Sequence, residues 1–335
     1  MTRMRIAGVL AAGLWVALWA AGPAAADGLA RFEKSIKSQV PPDTLSYKSA
    51  KALGDSGFEL RDVVVTPPPS DPAKKPDPIA IKAITVEDLD FDSIEKQQPP
   101  LYAKLRIEGI STGANPGGAV DLKQMTGLDT VSADFQLDYK LAPDKKTFTL
   151  SRLELNLNGL GRLETSMVLD GVSPDLVGQP NAALQDASLR TASLVYDDHS
   201  LLAKALPIVA VMQGSDPKAL IATATTFLDA ARAGQSEAAQ KAIDSLVAFV
   251  EDYAKPKGPL RIALNPPNKV SNADFEKAKT ADDLVKLLGV EVSYAGQRSS
   301  SPAAPAAAAA KKPAPDAGSS DDDDDDDSKP LNKKK

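Results

Sequence analysis

Apolar side chains recur at every second position between about residues 45 and 171, and this alternation limits the fold more than any other feature of the chain. The longest uninterrupted series is Val131, Ala133, Phe135, Leu137, Tyr139 and Leu141. A strand that alternates strictly has one buried and one wet face, which is typical of an antiparallel sheet covered on one side. The pattern therefore predicts an antiparallel meander.

The alternation changes register at several points, for example between Leu60 and Val63 and between Leu150 and Leu153. One extra residue in a strand is the sign of a β-bulge, which bends the strand and increases its twist. We therefore expect a curved sheet. Residues 45–65 and 137–155 also share a Leu-x-Tyr-Lys start, a turn and a Phe-x-Leu continuation. This similarity indicates a duplicated hairpin-meander unit.

A short amphipathic helix is predicted before the meander. Leu29, Phe32 and Ile36 are spaced three and four residues apart, and the Pro41-Pro42 pair ends the pattern. A helix that docks on the core is the preferred interpretation, and a helix on a membrane surface is the alternative.

A helical subdomain is predicted at about 199–255, where three apolar stripes follow one another. Pro207 is expected to kink or split the first helix. Phe227 is expected on the apolar face of the second. With two short strands after it, this segment gives an α+β fold class: a curved antiparallel β-sheet packed with a C-terminal helical subdomain.

The two ends of the chain have compositions unlike the middle. Residues 1–26 carry Arg3 and Arg5, then an apolar run, then a small-residue site that ends at Ala26, which is the layout of a secretory signal peptide. Residues 27–297 form the β-rich domain. Residues 298–335 are predicted to be a disordered Ala/Pro linker and tail, because nothing in them can build a core.

Seven consecutive aspartates in the tail are the candidate metal ligands of the chain. A flexible run lacks the fixed geometry of a calcium loop, so a solvating tail is the preferred interpretation. The candidates are Asp321, Asp322, Asp323, Asp324, Asp325, Asp326 and Asp327.

Charge and cysteine content exclude several classes of function. The formal net charge is -6 and no basic stripe occurs, which argues against nucleic-acid binding. The chain has no cysteine, so disulfides, thiol nucleophiles and thiolate metal sites are excluded. No run after the signal peptide approaches about 18 apolar residues, so no transmembrane segment is expected in the mature chain. The expected location is the periplasm, with secretion as the alternative.

Two short motifs are candidates for catalysis. Gly-Asp-Ser-Gly at 54–57 resembles the nucleophile motif of trypsin-like serine proteases, but His199 is the only histidine and follows Ser56, whereas that family places its histidine first. The same four residues suit a hairpin turn. His199, Asp197 and Asp198 could ligate a metal, yet they also suit a helix start at which Asp198 or Ser200 accepts from free N–H groups.

Other chemical signals are weak. The carboxylate pairs Asp88/Asp90 and Glu87/Asp92 are expected on strand faces turned to water. Phosphate-binding loops and the Gly-x-Ser-x-Gly elbow are absent from the sequence. We therefore expect no catalytic residues and no cofactor.

Several segments resemble known proteins. They are ITVEDLDF at 84–91, LRIEGIS at 105–111, the meander at 127–173 and the ALNPP…LVKLLGVEV end at 263–292. This layout, over roughly residues 45–295, resembles uncharacterised exported proteins of alphaproteobacteria and, more loosely, the β-rich periplasmic AsmA-like and TULIP-like proteins. The resemblance implies cell-envelope maintenance or lipid handling without catalytic residues.

Three functions are compared on this basis. The first is a non-catalytic periplasmic protein whose curved sheet holds a lipid-like hydrophobic ligand. The second is a purely structural or interaction protein of the envelope that binds another envelope protein and no ligand. The third, a hydrolase that uses Ser56 or His199, has the least support because neither residue lies in a complete catalytic motif.

Overall fold

The computed structural model describes residues 27–67, 77–113, 130–173 and 186–295. The predicted signal peptide at 1–26, the predicted tail at 298–335 and its aspartates at 321–327 lie outside these residues.

The described strands form one antiparallel sheet of 11 strands, in which nearly every strand pairs with its neighbours in the sequence. The strands are β1 Leu45–Ser46, β2 Ser49–Ala52, β3 Phe58–Val65, β4 Ile79–Leu89, β5 Tyr102–Gly113, β6 Thr130–Ala142, β7 Thr147–Leu157, β8 Gly161–Asp170, β9 Ser188–Asp198, β10 Leu260–Leu264 and β11 Val290–Ser293. β1 and β2 both pair with β3 and together form one edge, and β11 forms the other. The predicted antiparallel meander is confirmed.

The sheet is curved and open, and its curvature was predicted. The predicted slip between Leu150 and Leu153 is a shift in pairing register, whereas the pairing of β3 with β4 continues across Leu60 and Val63 without a shift. The pairing register shifts between Ile107 and Ile110 and between Leu150 and Leu153, where an extra residue enters one strand. Gly109 lies at the first of these bulges with φ 62°, a left-handed conformation that a side chain would strain. Its N–H donates to Asp134 Oδ1 at 2.8 Å. A side-chain oxygen on the neighbouring strand thus satisfies the donor that the bulge takes out of the ladder.

Helix α1 (Gly28–Ser35) covers the first end of the sheet, as the spacing of its apolar residues predicted. Asp27 caps it by accepting from the N–H of Ala30 at 2.8 Å. Phe32 is buried and stacks on Phe58 with ring centroids 4.4 Å apart. Burial of one such side chain contributes about 1.5–3 kcal/mol, so this contact holds the helix on the sheet. A single 3₁₀ turn, Lys37–Gln39, follows.

The carboxylates after β4 do not all lie on a strand, which corrects one prediction. The strand ends at Leu89, and a short helix, α2 (Phe91–Glu95), follows. Asp90 is buried and caps α2, accepting from Ser93 and from the N–H of Leu101. Burial alone would raise the pKa of Asp90, but these hydrogen bonds outweigh it and lower the pKa. Asp92 lies in α2 and pairs with Arg31 of α1.

Helices also lie near the other end of the sheet. They are α3 Leu201–Met212, α4 Pro217–Arg232, α5 Glu237–Glu251, α6 Asn272–Phe275 and α7 Ala281–Leu288. Only α5 among the three long ones buries a continuous stripe, including Ala239, Ile243 and Val247. Its Phe249 meets the rings of Tyr196 and Tyr294 edge to face, at 5.8 and 5.3 Å. These contacts hold α5 against β9, β10 and β11.

The structure corrects two expectations about the helices. Helix α3 runs through Pro207 as one helical element, so Pro207 does not split it. Phe227 of α4 is 73% exposed, although its spacing placed it on the apolar face. Helical periodicity shows which residues share a stripe, but tertiary packing decides how much of that stripe is covered.

Candidate functional site

One apolar row crosses the whole sheet and defines its inner face. Residues paired directly across neighbouring strands point to the same side. The pairing therefore places on one face Phe58, Val86, Leu105, Leu137, Leu153, Thr165, Leu194, Ile262 and Val292. Phe58 packs against α1, and Val292 belongs to the cluster around α5. Both helices thus cover the same face, which we call the inner face.

Between these two covers, the inner face carries apolar side chains that are only half-buried. We call them the apolar strip. They are Leu137, Leu153, Leu155, Leu163 and Met167. The buried side chain next to them in sequence is charged: Glu154, on the opposite face of β7, is 9% exposed. Apolar residues of a sheet are normally the better covered ones. The strip is therefore unusually accessible for the core side of a sheet.

Ion pairs explain the burial of Glu154. Arg162 donates from Nε and one terminal nitrogen to its two carboxylate oxygens at 2.9 and 3.0 Å, and to Glu164 at 2.6 Å. The bond to Glu154 is the main reason that the pKa of Arg162 is raised. The outer face of these strands is thus internally paired and polar. It offers no surface for an apolar ligand.

The strip leads into a groove between α5 and the last three strands. The groove has a volume of about 720 Å³. Its inner-face lining is apolar, and α5 contributes two alanines and a lysine; these residues are Leu194, Ile262, Val290, Val292, Ala238, Lys241 and Ala242. Thr165 connects strip and groove, and its hydroxyl donates to the carbonyl of Ser193 at 2.8 Å. The polar atom of Thr165 is therefore occupied, and the path along the inner face stays apolar.

The free N–H groups at the start of α3 donate hydrogen bonds to other groups of the protein. The carbonyl oxygen of Leu160 accepts from the N–H groups of His199, Ser200 and Leu201 at 2.9–3.0 Å. The Asp198 side chain accepts from the N–H of Leu202 at 3.1 Å, as the helix-start interpretation proposed. The hydroxyl of Ser200 instead donates to Gly159. These contacts occupy the positive end of the helix, where an anion would otherwise bind.

Half-buried Tyr196 and buried Asp198 form a polar pair beside this helix start. The Tyr196 hydroxyl donates to Asp198 Oδ1 at 2.7 Å, and Asp198 is 4% exposed. Burial and this hydrogen bond raise the pKa of Tyr196. The second oxygen, Oδ2, has no hydrogen-bond partner among the residues that the structure describes.

The structure does not bring Ser56 and His199 together. Ser56 lies in the turn between β2 and β3, where the N–H of Leu53 donates to the carbonyl of Gly57 at 2.9 Å. His199 follows β9, which is six strands away from β3 in the sheet. It lies 3.6 Å from Asp197, in an exposed position. The Gly-Asp-Ser-Gly motif therefore forms the hairpin turn that its composition indicated.

The described part of the chain has neither a metal-binding cluster nor a membrane-spanning helix. Within residues 27–67, 77–113, 130–173 and 186–295, no group of three or more His, Asp or Glu side chains could hold a metal ion. In the same ranges no helix has both the length and the apolar character needed to cross a membrane.

The groove and its lysine were not predicted from the sequence. The alternation of leucines pointed to the strip, but the groove depends on how α5 sits on β9–β11. The sequence of α5 contained a signal for both. Small side chains at Ala238 and Ala242 leave room beside the sheet, and Lys241 lies between them.

A family model described as "Uncharacterized protein" matches residues 154–295, which is less than half of the chain. This segment runs from β7 to β11 and contains the groove. A search of curated proteins found no match.

Proposed function

We propose that the chain is a non-catalytic protein of the bacterial periplasm that binds a lipid-like hydrophobic ligand on the inner face of its sheet. The observation that carries this proposal is the half-buried apolar strip and its continuation into the groove beside α5. Small-molecule sites typically have about 300–1,000 Å³ and mostly apolar walls, and the groove fits both criteria. The proposed location is supported by the signal-peptide layout of residues 1–26.

The test is to identify what the full chain carries. The protein is produced in the periplasm of a Gram-negative host, purified without detergent and analysed by native mass spectrometry and organic extraction. We expect reproducible lipid-like species at the mass of the complex. A protein that is reproducibly empty, and that takes up no fluorescent lipid probe, would contradict the proposal.

Two adjacent positions on β6 provide a matched pair of variants. Leu137→Glu places a carboxylate on the strip, whereas Gln136→Glu places the same charge on the outer face, near Arg152. Because a charge resists contact with a hydrocarbon chain, Leu137→Glu should reduce ligand occupancy several-fold, and Gln136→Glu should not. Circular dichroism confirms that both variants are folded. Equal ligand occupancy in the two variants would show that the ligand does not bind on the strip.

A second function is favoured by exposed apolar residues on α3. Val211 and Met212 are 77% and 81% exposed at the end of this helix, which is almost entirely apolar. Such a surface is typical of contact with another protein, so the alternative is a structural or interaction protein of the envelope. Met212→Lys should then release a co-purified envelope partner, and Gln213→Lys, at the next exposed position, should retain it. Loss of the partner in both variants, or in neither, would argue against this alternative.

A further inference from the structure

The groove contains one charged side chain on its inner-face side. Lys241 lies on α5 between Ala238 and Ala242, and all three residues line the groove. Arg261 and Glu291 also line it, but they are the direct neighbours of inward-facing residues along β10 and β11, so alternation turns their side chains to the outer face. The inner wall of the groove is therefore apolar with a single ammonium group.

Lys241 has no ion-pair partner within the residues that the structure describes. Three basic side chains of this end are paired, namely Arg232 with Asp244, Lys257 with Asp252 and Lys286 with Asp282, whereas Arg261 on the outer face, like Lys241, has no ion pair among the described residues. A lysine that stays free beside an apolar surface can bury its aliphatic stem and present its charged end to a ligand. The groove thus combines a hydrocarbon wall with an available positive charge.

We propose that the groove selects a single-chain amphiphile with an anionic head group. Its hydrocarbon chain lies on Leu194, Ile262 and Val290, and its carboxylate or phosphate pairs with the ammonium of Lys241. The volume of about 720 Å³ suits one chain of this kind. This inference rests on the proposed function, because it specifies which lipid-like ligand the inner face prefers.

The experiment compares probes that share one chain length and differ in their head group. Laurate, dodecyl phosphate, dodecanol and dodecylamine are titrated into the delipidated full chain below their micelle concentrations, and binding is followed by calorimetry. We expect laurate or dodecyl phosphate to bind about fivefold more tightly than dodecanol, as a partly exposed charge pair allows. The two anions show whether the carboxylate or the phosphate is preferred. This preference should weaken as salt is added.

Two substitutions at Lys241 test the assignment of the charge. Lys241→Gln should remove the preference for an anion while leaving dodecanol binding unchanged, and Lys241→Glu should shift the preference to dodecylamine. Lys255→Gln is the matched control, because it removes the same charge from an exposed residue beyond the end of α5 that does not line the groove. It should bind every probe like the original chain. Thermal unfolding verifies that each variant is folded.

The outcomes separate this inference from the proposed function. If dodecanol binds as tightly as the anions and Lys241→Gln changes neither affinity, the selectivity for anions is overturned while lipid-like binding stands. The selectivity is equally overturned if Lys255→Gln abolishes the preference as fully as Lys241→Gln does. If none of the four probes binds, the proposed function itself is contradicted.

Discussion

At the scale of single residues, buried carboxylates hold the helices to the sheet. Asp90 caps α2 and binds the start of β5, and Asp198 connects Tyr196 of β9 with the first turn of α3. A carboxylate that leaves water needs such partners, because an unpaired buried charge is costly. Each of these two side chains therefore fixes one junction between a helix and a strand.

The first prediction concerns Asp198. Asp198→Ala should lower the free energy of unfolding by about 1–3 kcal/mol, because the half-buried hydroxyl of Tyr196 and the N–H of Leu202 lose their acceptor. Asp198→Asn keeps an acceptor oxygen and should restore most of the loss. Asp197→Ala, at the neighbouring and less buried position, should change stability by less than about 0.5 kcal/mol. Urea unfolding measures all three, and equal losses at 197 and 198 would refute this role.

The second prediction concerns acid stability. Hydrogen bonds from Ser271, together with the ion pair to Lys277, lower the pKa of Asp274 from 3.8 to about 2. A depressed pKa in the folded state stabilises the protein above the unfolded value, and this stability is lost as pH falls through the folded value. The pKa values of Asp90, Asp282 and Asp283 are also lowered. The melting temperature should therefore fall between about pH 4 and pH 2.

The variant Asp274→Asn measures how much this one residue contributes to the fall in melting temperature at low pH. The variant should show a shallower fall in melting temperature over the same pH range, because its side chain cannot titrate. Asp55→Asn, in the exposed turn after β2, is the control and should keep the original slope. A slope unchanged by Asp274→Asn would show that the hydrogen bonds from Ser271 to Asp274 do not contribute to acid stability.

At the scale of elements, alternation predicted the strands well because it reflects a local property. Each strand with one covered face must place apolar residues at every second position, and each bulge must shift that series by one. The slip between Leu150 and Leu153 could therefore be predicted from the residues alone. Helix α2 was missed because Leu89 and Phe91 continue the alternation, although the capping residue Asp90 was present in the sequence.

The candidate site was predictable only in part. The leucines of the strip could be predicted from the alternation, because they occupy every second position along each strand. The groove and the exposure of Phe227 did not, because both depend on how far the helices lie from the sheet. Periodicity within one element contains no information on that distance.

The third prediction tests the bulge in β5. Gly109→Ala and Gly159→Ala both place a side chain at positive φ, which costs about 1 kcal/mol. A Cβ at Gly109 would also lie 2.8 Å from Cβ of Lys82, whereas a Cβ at Gly159 meets nothing within 4 Å. Gly109→Ala should therefore cost at least about 1 kcal/mol more. Chemical denaturation compares the two, and equal losses would mean that the bulge tolerates the extra atom.

At the scale of the whole molecule, the sheet has two separate apolar clusters. One surrounds Phe58 and Phe91 under α1 and α2, and the other surrounds Phe249 and Val292 under α5. Between them lies the half-buried strip. Cooperation between the two ends must then pass from strand to strand, as between the repeats of a solenoid.

The fourth prediction follows from this separation. Phe249→Ala should raise hydrogen exchange in β9, β10 and β11 and leave β3 and β4 close to their original protection. Phe91→Ala, in the other cluster, is the reciprocal control and should loosen β3 and β4 first. Hydrogen exchange with mass spectrometry measures both. A uniform rise along the sheet in either variant would show that the molecule opens as one unit.

The order of the strands also has a consequence for how the chain acquires its structure. From β3 to β11, each strand pairs with the strand that precedes it along the chain. Up to β9 the connections between these paired strands have at most 17 residues, which favours rapid formation, whereas 61 residues with three helices separate β9 from β10. A chain delivered from its amino end, through a ribosome tunnel or a translocation pore, can therefore add one strand after another to a growing edge without waiting for its last residues.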